Sequence, residues 1–484
     1  MGDVSPTVKY SEIIEEGNVT RLDAEYHDPR RIARETSLKD LGGADLATKV
    51  SVTDDRVPDP RKGAKDGDTF SYVEISGVDM RDGFVTAETV ATGDAPSRAR
   101  LRLGRGVVAL SSVRPARSQV FVTSDDLFGA VGTTGLITLK PRDTKELSPE
   151  LLFALLKSAC VVDQLDRRSR ASMYPTLAPD DVSNIVLPLL PDSLIEEVET
   201  GIRDALAERQ SFLTRIDARR RLEGAMFDPL RPDKLLSDLR FGGPTTRTRA
   251  ELIDGEAVGR IDAEFHSKAY DAAIARMKTA GQVRSLGDWL TAADTGCSPS
   301  EEEYRDGDSP GSSAVLKVGA LSGMGIQWSA VEYAPAKYSE KDGTRIEEGD
   351  VVFNSTAHQP KYMAHKVDVV RSVPPALDGR LTFVGEMLRL RLAPSADVPP
   401  EYLAAFLRNP LGKEQIRRCI RGISSHVYPD DIGEIIVPVP SKTDAREVAD
   451  VIQLVEKARW RYSTRVLAAI DAIDTHVAGV LHTG

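Results

Sequence analysis

A chain of 484 residues, 41% hydrophobic and 28% charged, is long enough for two to four domains with real cores. It has no apolar run near the ~18 residues that a bilayer span needs, and Met1-Gly2-Asp3-Val4-Ser5-Pro6 lacks the basic-then-apolar order of a secretory leader. Three scattered cysteines (Cys160, Cys297, Cys419) exclude a disulfide framework or a zinc ribbon and point to a reduced, cytoplasmic protein, while a net charge of −11 stands, at face value, against a nucleic-acid partner.

In chain order, the first signal is Arg21-Leu22-Asp23-Ala24-Glu25-Tyr26-His27, which returns as Arg260-Ile261-Asp262-Ala263-Glu264-Phe265-His266, shifted by 239. Tyr72 to Val78 alternates as a strand does, and Gly106 to Ser111 reads as a strand entered through a turn. Short helices follow from Pro149 to Val162, then a closing strand that ends on Pro188. Beyond it Val198, Ile202, Ala205, Phe212 and Ile216 form the seam of a long helix, and Phe241-Gly242-Gly243-Pro244-Thr245-Thr246 reads as a linker.

The second half repeats the plan with strands at Val315 to Leu321 and Gly349 to Ser355, short helices from Pro400 to Ile420, and a strand ending on Pro438. Asp180-Asp181-Val182 through Pro188 becomes Asp430-Asp431-Ile432 through Pro438 under a shift of 250, which also carries Arg209, Thr214 and Arg215 onto Arg459, Thr464 and Arg465. The last helix has Val448, Ile452, Val455, Tyr462, Val466, Ile470, Ile473, Val477 and Leu481 at spacings of three, four or seven, a coiled-coil seam. Matches in one order with slowly drifting shifts mean an internal duplication. The expected fold is α+β, two mixed α/β modules at 1–191 and 241–440, each followed by a helical segment, 192–240 (with the linker) and 441–484. At ~1.5 Å per residue the helices would run about 50 and 57 Å. Arg209 and Arg459 interrupt the seams at one place, either to set register against a partner helix or to snorkel to the surface.

Catalytic signatures are absent from the sequence: no phosphate loop, dinucleotide turn, His-Glu-x-x-His, or Gly-x-Ser-x-Gly elbow. Asp28-Pro29-Arg30 and Asp228-Pro229-Leu230 lack the Asn/Asp-Pro-Pro-aromatic tetrapeptide with which an amino-methyltransferase holds its base. The repeated His27 and His266 stand at the heads of helices and read as architectural. No cofactor or metal is expected on this chain.

The acidic total hides a local asymmetry. Between Ser97 and Ser124 there is no Asp or Glu, while Arg98, Arg100, Arg102, Arg105, Arg114 and Arg117 all fall inside it. Arg167, Arg168 and Arg170 cluster further on; in the second half His358, Lys361, His365 and Lys366 occupy the matching loop, and Arg417, Arg418 and Arg421 precede His426. Arg114 and Arg117 map onto His358 and Lys361 under a shift of 244. Basic loops at matching places in two copies are the expected footprint of double-stranded DNA, and arginine's planar fork suits both phosphate and guanine. The local field, not the net charge, is what DNA meets.

These segments resemble one family, the specificity subunits of Type I restriction–modification systems. Thr295-Gly296-Cys297-Ser298-Pro299-Ser300 with Tyr304 resembles the opening of a target-recognition domain, and Gly349-Asp350-Val351-Val352-Phe353-Asn354-Ser355 its central strand. Tyr174-Pro175 and Tyr428-Pro429, each leading to Asp-Asp-Val/Ile and a closing Ile-Val-x-Pro strand, resemble its exit into a spacer helix. The resemblance implies two target-recognition domains held apart by two antiparallel helices, each reading half of a split site. It implies docking of two DNA methyltransferase subunits, which carry S-adenosylmethionine, and of restriction–translocase subunits, the chain itself being non-catalytic. Charge and resemblance together make Arg98, Arg100, Arg102, Arg105, Arg114, Arg117, Arg170, Tyr174, Asn354, His358, Lys361, Arg421, His426 and Tyr428 the candidate DNA contacts. The alternatives are an acidic DNA mimic, which would have no basic loops, a self-contained methyltransferase-nuclease, and a protein-only scaffold in phage defence.

Overall fold

The computed structural model describes residues 25–62, 65–170, 174–227, 268–305, 309, 311–341, 343–422 and 425–483. Residues 21–24 of the first heptapeptide, all of Arg260 to His266 and the linker Phe241 to Thr246 lie outside them. The chain forms two compact units, Met1–Gln210 with Arg461–Gly484, and Ser211–Trp460.

In the first unit, α1 (Pro29–Asp40) starts where Asp28 accepts a hydrogen bond from the Arg30 backbone and proline fills the first helical turn. Buried His27 stands just ahead of it. Then come β1 (Ala44–Asp45), α2 (Leu46–Lys49), β2 (Val50–Thr53), β3 (Thr69–Val73), β4 (Glu88–Ala91) and β5 (Ala99–Arg102). After these follow β6 (Val108–Ser111), β7 (Val120–Val122), β8 (Val131–Thr133) and β9 (Leu136–Pro141). The strands form two sheets, ordered β2-β9-β6-β7 and β4-β3-β8-β5, with β3 and β8 parallel. The strand expected over Tyr72 to Val78 ends at Val73 and turns into a 3₁₀ turn, Ile75–Gly77. Extended Ser158 (ψ 147°) divides the helical stretch into α3 (Pro149–Lys157) and α4 (Ala159–Arg168). After α5 (Pro179–Ser183), β10 (Val186–Leu187) pairs back on β1 and leads into α6 (Asp192–Phe227).

The second unit repeats this order. It has α7 (Lys268–Ala280), β11 (Val283–Ser285), β12 (Leu290–Thr295), β13 (Ser312–Leu316), β14 (Glu332–Pro335) and α8 (Lys337–Glu340). Next are β15 (Val351–Asn354), β16 (Thr356–Ala357), β17 (Val367–Val369), β18 (Leu381–Phe383) and β19 (Met387–Leu392). Sheet β12-β19-β15-β17 matches β2-β9-β6-β7, and β14-β13-β18 matches β4-β3-β8 with the parallel pair preserved. Among the described residues of the second unit nothing corresponds to β5. Helices α9 (Pro400–Arg408) and α10 (Pro410–Arg418) part at Asn409, which the following proline pushes out of the helical region. Then β20 (Ser425–His426), α11 (Pro429–Ile432) and β21 (Ile436–Pro438) lead into α12 (Lys442–Thr483).

At 36 and 42 residues, α6 and α12 are longer than the sequence implied, about 54 and 63 Å at ~1.5 Å per residue. In the first unit Arg465 meets Asp204 at 2.8 Å and Arg461 meets Glu208 at 3.4 Å, so the helices run antiparallel. Val198, Ile202, Ala205, Tyr462, Val466, Ile473 and Val477 are buried there; Phe212, Ile216, Val448, Ile452 and Val455 are buried in the second unit. Val448 and Ile452 join the core of the second body with Phe353, Tyr402 and Phe406. These helices are therefore part of each module's core as well as its stem.

Neither reading of Arg209 holds. It is only 2% exposed, so it does not snorkel, and it faces the sheet body rather than a helix. Its guanidinium donates to Val85 O at 2.8 and 3.0 Å, to Asp126 at 2.7 Å and to Ser124. Arg459 is likewise buried. The second unit also has a charged cluster. Arg219 pairs with Glu223 at 2.9 Å and donates to Gly323 O, and Arg408 reaches Glu223 at 3.3 Å. Burial beside Asp368 and Glu401 pushes the Glu456 carboxyl up to about 8, against the pull of Arg408 and Arg219.

Two outcomes follow. Arg209→Ala leaves Asp126 and Val85 O without their cation under cover, so guanidinium unfolding should show a loss of roughly 3–5 kcal/mol, smaller when Asp126→Ala accompanies it. For Glu456 the native state holds a proton that the unfolded chain releases near 4.5. Its contribution is therefore present below that pH and lost as pH rises through about 8. Glu456→Gln should match wild type in melting temperature near pH 5 and exceed it progressively toward pH 8; parallel profiles would refute this.

Candidate nucleic-acid interface

In the first unit the loop between β6 and β7 is held against the segment after α4. The Leu177 amide donates to Ser112 O at 2.8 Å, the Arg114 amide to Pro175 O at 2.7 Å, and the Arg170 amide to Thr176 O at 2.9 Å. Arg114 lies over the Tyr174 ring at 5.1 Å, and that ring is 59% exposed. Arg117 is exposed on the 3₁₀ turn Pro115–Arg117, and Arg170 is exposed with only a loose approach to Asp181 at 3.8 Å. Arg98 lies in the turn just before β5, where its carbonyl accepts from the Thr134 amide; the next residue, Gly135, accepts from the Ser112 amide. Arg98, Arg114 and Arg117 form no ion pair with any described residue. Hydrogen bonds thus gather Arg98, Arg114, Arg117, Arg170 and Tyr174 about one loop pair.

The other arginines of the acid-free stretch go elsewhere. Arg100 pairs with Asp59 at 2.9 Å, Arg102 lies 3.7 Å from Asp55, and Arg105 pairs with Asp125 at 3.0 Å while covering Phe128. Carboxylates distant in sequence neutralise them. Arg167 and Arg168 also leave the expected cluster: both are buried and grip Glu35 at 2.6–2.9 Å. Burial would raise the Glu35 carboxyl, but the bonds from Arg168 and Arg167 hold it below its ordinary value.

The second unit builds the same loop pair. Val427 donates to Ser355 O at 2.9 Å, the counterpart of Leu177 on Ser112, and Thr356 pairs with His426 across β16 and β20. His358, Lys361, Tyr362 and His365 are exposed on one loop, with Lys361 4.8 Å from the Tyr362 ring centre and His358 4.9 Å from it. Across from them His426 stacks on Tyr428 at 6.2 Å, and Arg421 pairs with Asp431. Burial, then Lys413, Lys366 and Arg417, hold His365 below its ordinary pKa, the mark of a locally positive field. Arg417 turns inward to Glu414 and Lys361 O, and Arg418 covers Tyr270. Asn354 is 6% exposed and holds the loop from behind, donating to Tyr362 O at 2.7 Å and accepting from the Lys366 amide.

Two sequence correspondences shift. Tyr428 caps α11 as Ala178 caps α5, so Tyr428-Pro429 matches Ala178-Pro179, and Tyr174 stands four residues earlier, in the loop. The 3₁₀ turns start at Pro115 and Pro360, which aligns Arg117 with Tyr362 rather than Lys361. Tyr362 was missed in the sequence, although an aromatic residue within a basic loop is a usable signal. Left-handed non-glycine residues flank both turns, Arg114 (φ 50°) and Ser118 (φ 49°) in one and Ala364 (φ 47°) in the other. Such strain persists only where surrounding contacts impose it. One of these contacts lies beneath each loop: buried Lys157 donates to Ser118 O at 2.6 Å, and Arg408, the largely covered equivalent last residue of α9, to Val367 O at 2.9 Å.

No family model matches the chain, and no curated protein matches it. Among solved structures, the HsdS subunit from Thermoanaerobacter tengcongensis has 18% identity and a TM-score of 0.31, over 89% of this chain and 96% of that one. The chain is similar to S subunits of type I restriction–modification systems. The S subunit of such a system from M. genitalium has 11% identity and a TM-score of 0.40, over 91% and 95%. A chain from a study of complex assembly and conformational transition of the type I R-M system has 17% identity and a TM-score of 0.31, over 90% and 96%.

Exposed cations beside tyrosines can neutralise phosphates, stack, or reach base edges. Arg114→Ala with Arg117→Ala should lower the slope of log K against log salt by about one unit for each phosphate that is no longer neutralised. Arg102→Ala with Arg105→Ala, already ion-paired, should leave it nearly unchanged. Equal slopes for all three proteins would remove this loop from the interface.

Proposed function

We propose that the chain is the non-catalytic specificity subunit of a Type I restriction–modification complex. Its two modules each read one half of a bipartite DNA target, and its helices present docking surfaces for two methyltransferase subunits and for restriction–translocase subunits. S-adenosylmethionine would then be bound by the methyltransferase partners. The observation that carries this reading is the repetition of one exposed loop pair, cations beside tyrosines, in two modules that each build α6 and α12 into their bodies. A DNA mimic would expose carboxylates at these loops instead. A protein scaffold would have no reason to keep the loops basic in an acidic chain.

The helices act as a ruler in this reading. Half-sites approached from one face of the duplex lie about one turn apart, ~34–36 Å. Inserting a heptad after Leu213 and another after Ser463 keeps the 3.5-residue seam and adds about 10.5 Å. At ~3.4 Å per base pair that is roughly three base pairs of spacer. Methylation mapping with the partner subunits present should show the same half-sites moved apart by a few base pairs. A continuous target, or a spacer indifferent to the insertion, would refute the ruler.

A further inference from the structure

One position carries opposite charge in the two modules. The same shift of 243 relates Tyr72 to Val315 in the central strand and Ser112 to Ser355 at the base of the basic loop. Tyr72 faces Glu88 on the neighbouring strand, and Val315 faces Glu332, so the register is the same in both units. Two residues further, at the cap of the 3₁₀ turn, the first module has Glu74 and the second has Lys317.

Both positions lie beside the candidate interface. In the first unit, a Cβ placed on Gly135 would stand 2.7 Å from Ile75 Cδ1, and Gly135 O accepts from the Ser112 amide at 2.8 Å. In the second, Glu386 takes the place of Gly135, and its carbonyl accepts from Ser355 at 2.9 Å. Lys317, Glu332 and Glu386 line an open cleft of about 720 Å³ with Ser298 and Tyr304.

Neither side chain is saturated by its partners: each keeps hydrogen-bonding capacity. Glu74 accepts from the Tyr72 hydroxyl and weakly, at 3.3 Å, from the Ile75 amide, leaving lone pairs of a carboxylate that has about four. Lys317 is fixed by Glu332 at 2.7 Å and by the Tyr304 ring at 3.9 Å, and an ammonium has three donors. One group only accepts and the other only donates.

We infer that Glu74 and Lys317 discriminate a base pair in each half-site. Glu74 accepts from the exocyclic amino group of cytosine or adenine; Lys317 donates to guanine O6/N7 or thymine O4 in the major groove. This rests on the DNA-reading function proposed above and gives its two modules different half-sites by construction.

The test is selection of duplexes from a randomised pool by the full-length chain at one fixed salt concentration, followed by sequencing. Wild type should enrich a defined split site. Lys317→Met should relax preference about tenfold at one base pair of one half, Glu74→Gln at one base pair of the other, and Lys317→Arg should keep the wild-type preference. Variants with wild-type melting temperature that select the unchanged site overturn the inference and leave the DNA-reading function standing. Uniform weakening at all positions overturns it too, because it marks a phosphate contact. A wild-type chain that enriches no sequence overturns both.

Discussion

A largely covered cation lies beneath each candidate interface loop. Lys157 ends α3 and Arg408 ends α9 at equivalent positions, and each donates to a backbone carbonyl where its loop rejoins the sheet. Burial brings Lys157 down to about 8, against the pull of Asp82 and Asp79, and draws Arg408 down to about 10. Such a charge is costly to desolvate, so it is held only where fixed acceptors surround it. The left-handed residues Arg114, Ser118 and Ala364 depend on that scaffold, and the exposed cations and tyrosines depend on those turns.

The long helices are tied in by the same logic. Apolar seam residues supply the area, but Arg209 on Val85 O and Asp126, and Tyr462 on Asp82 O at 3.1 Å, specify how the helices meet the first body. In the second body Arg219, Glu223 and Arg408 do this. A polar contact that must be satisfied under cover tolerates little sliding, whereas an apolar seam alone would tolerate a slip of a turn.

Charge in this chain is a matter of place rather than total. The acid-free stretch looks uniformly basic along the sequence, yet Asp59, Asp55 and Asp125 return to Arg100, Arg102 and Arg105 in space. Of that stretch, Arg98, Arg114 and Arg117 form no ion pair with any described residue, and hydrogen bonds draw their segments to one loop pair. Arg100 and Arg102 of the edge strand β5 pair with carboxylates, while Arg98, just before it, stands beside the candidate face.

The sequence by itself determined the duplication, the two long helices and the closing strands, because apolar spacings of three, four and seven and the Asp-Asp-Val/Ile stretch are local patterns read along the chain. It also placed both basic loops. Only the tertiary structure decided which cations remain outward, because an ion pair such as Arg168–Glu35 joins residues far apart in the chain and no spacing predicts it. The same holds for Arg209, whose seam position said nothing of a carbonyl 124 residues away. It holds for Tyr174 and Tyr428 too: their dipeptides are alike in sequence, while the hydrogen bonds of Leu177 and Val427 set the true register. Local periodicity is written in neighbours; the partner of a charge is fixed only when the chain folds back on itself.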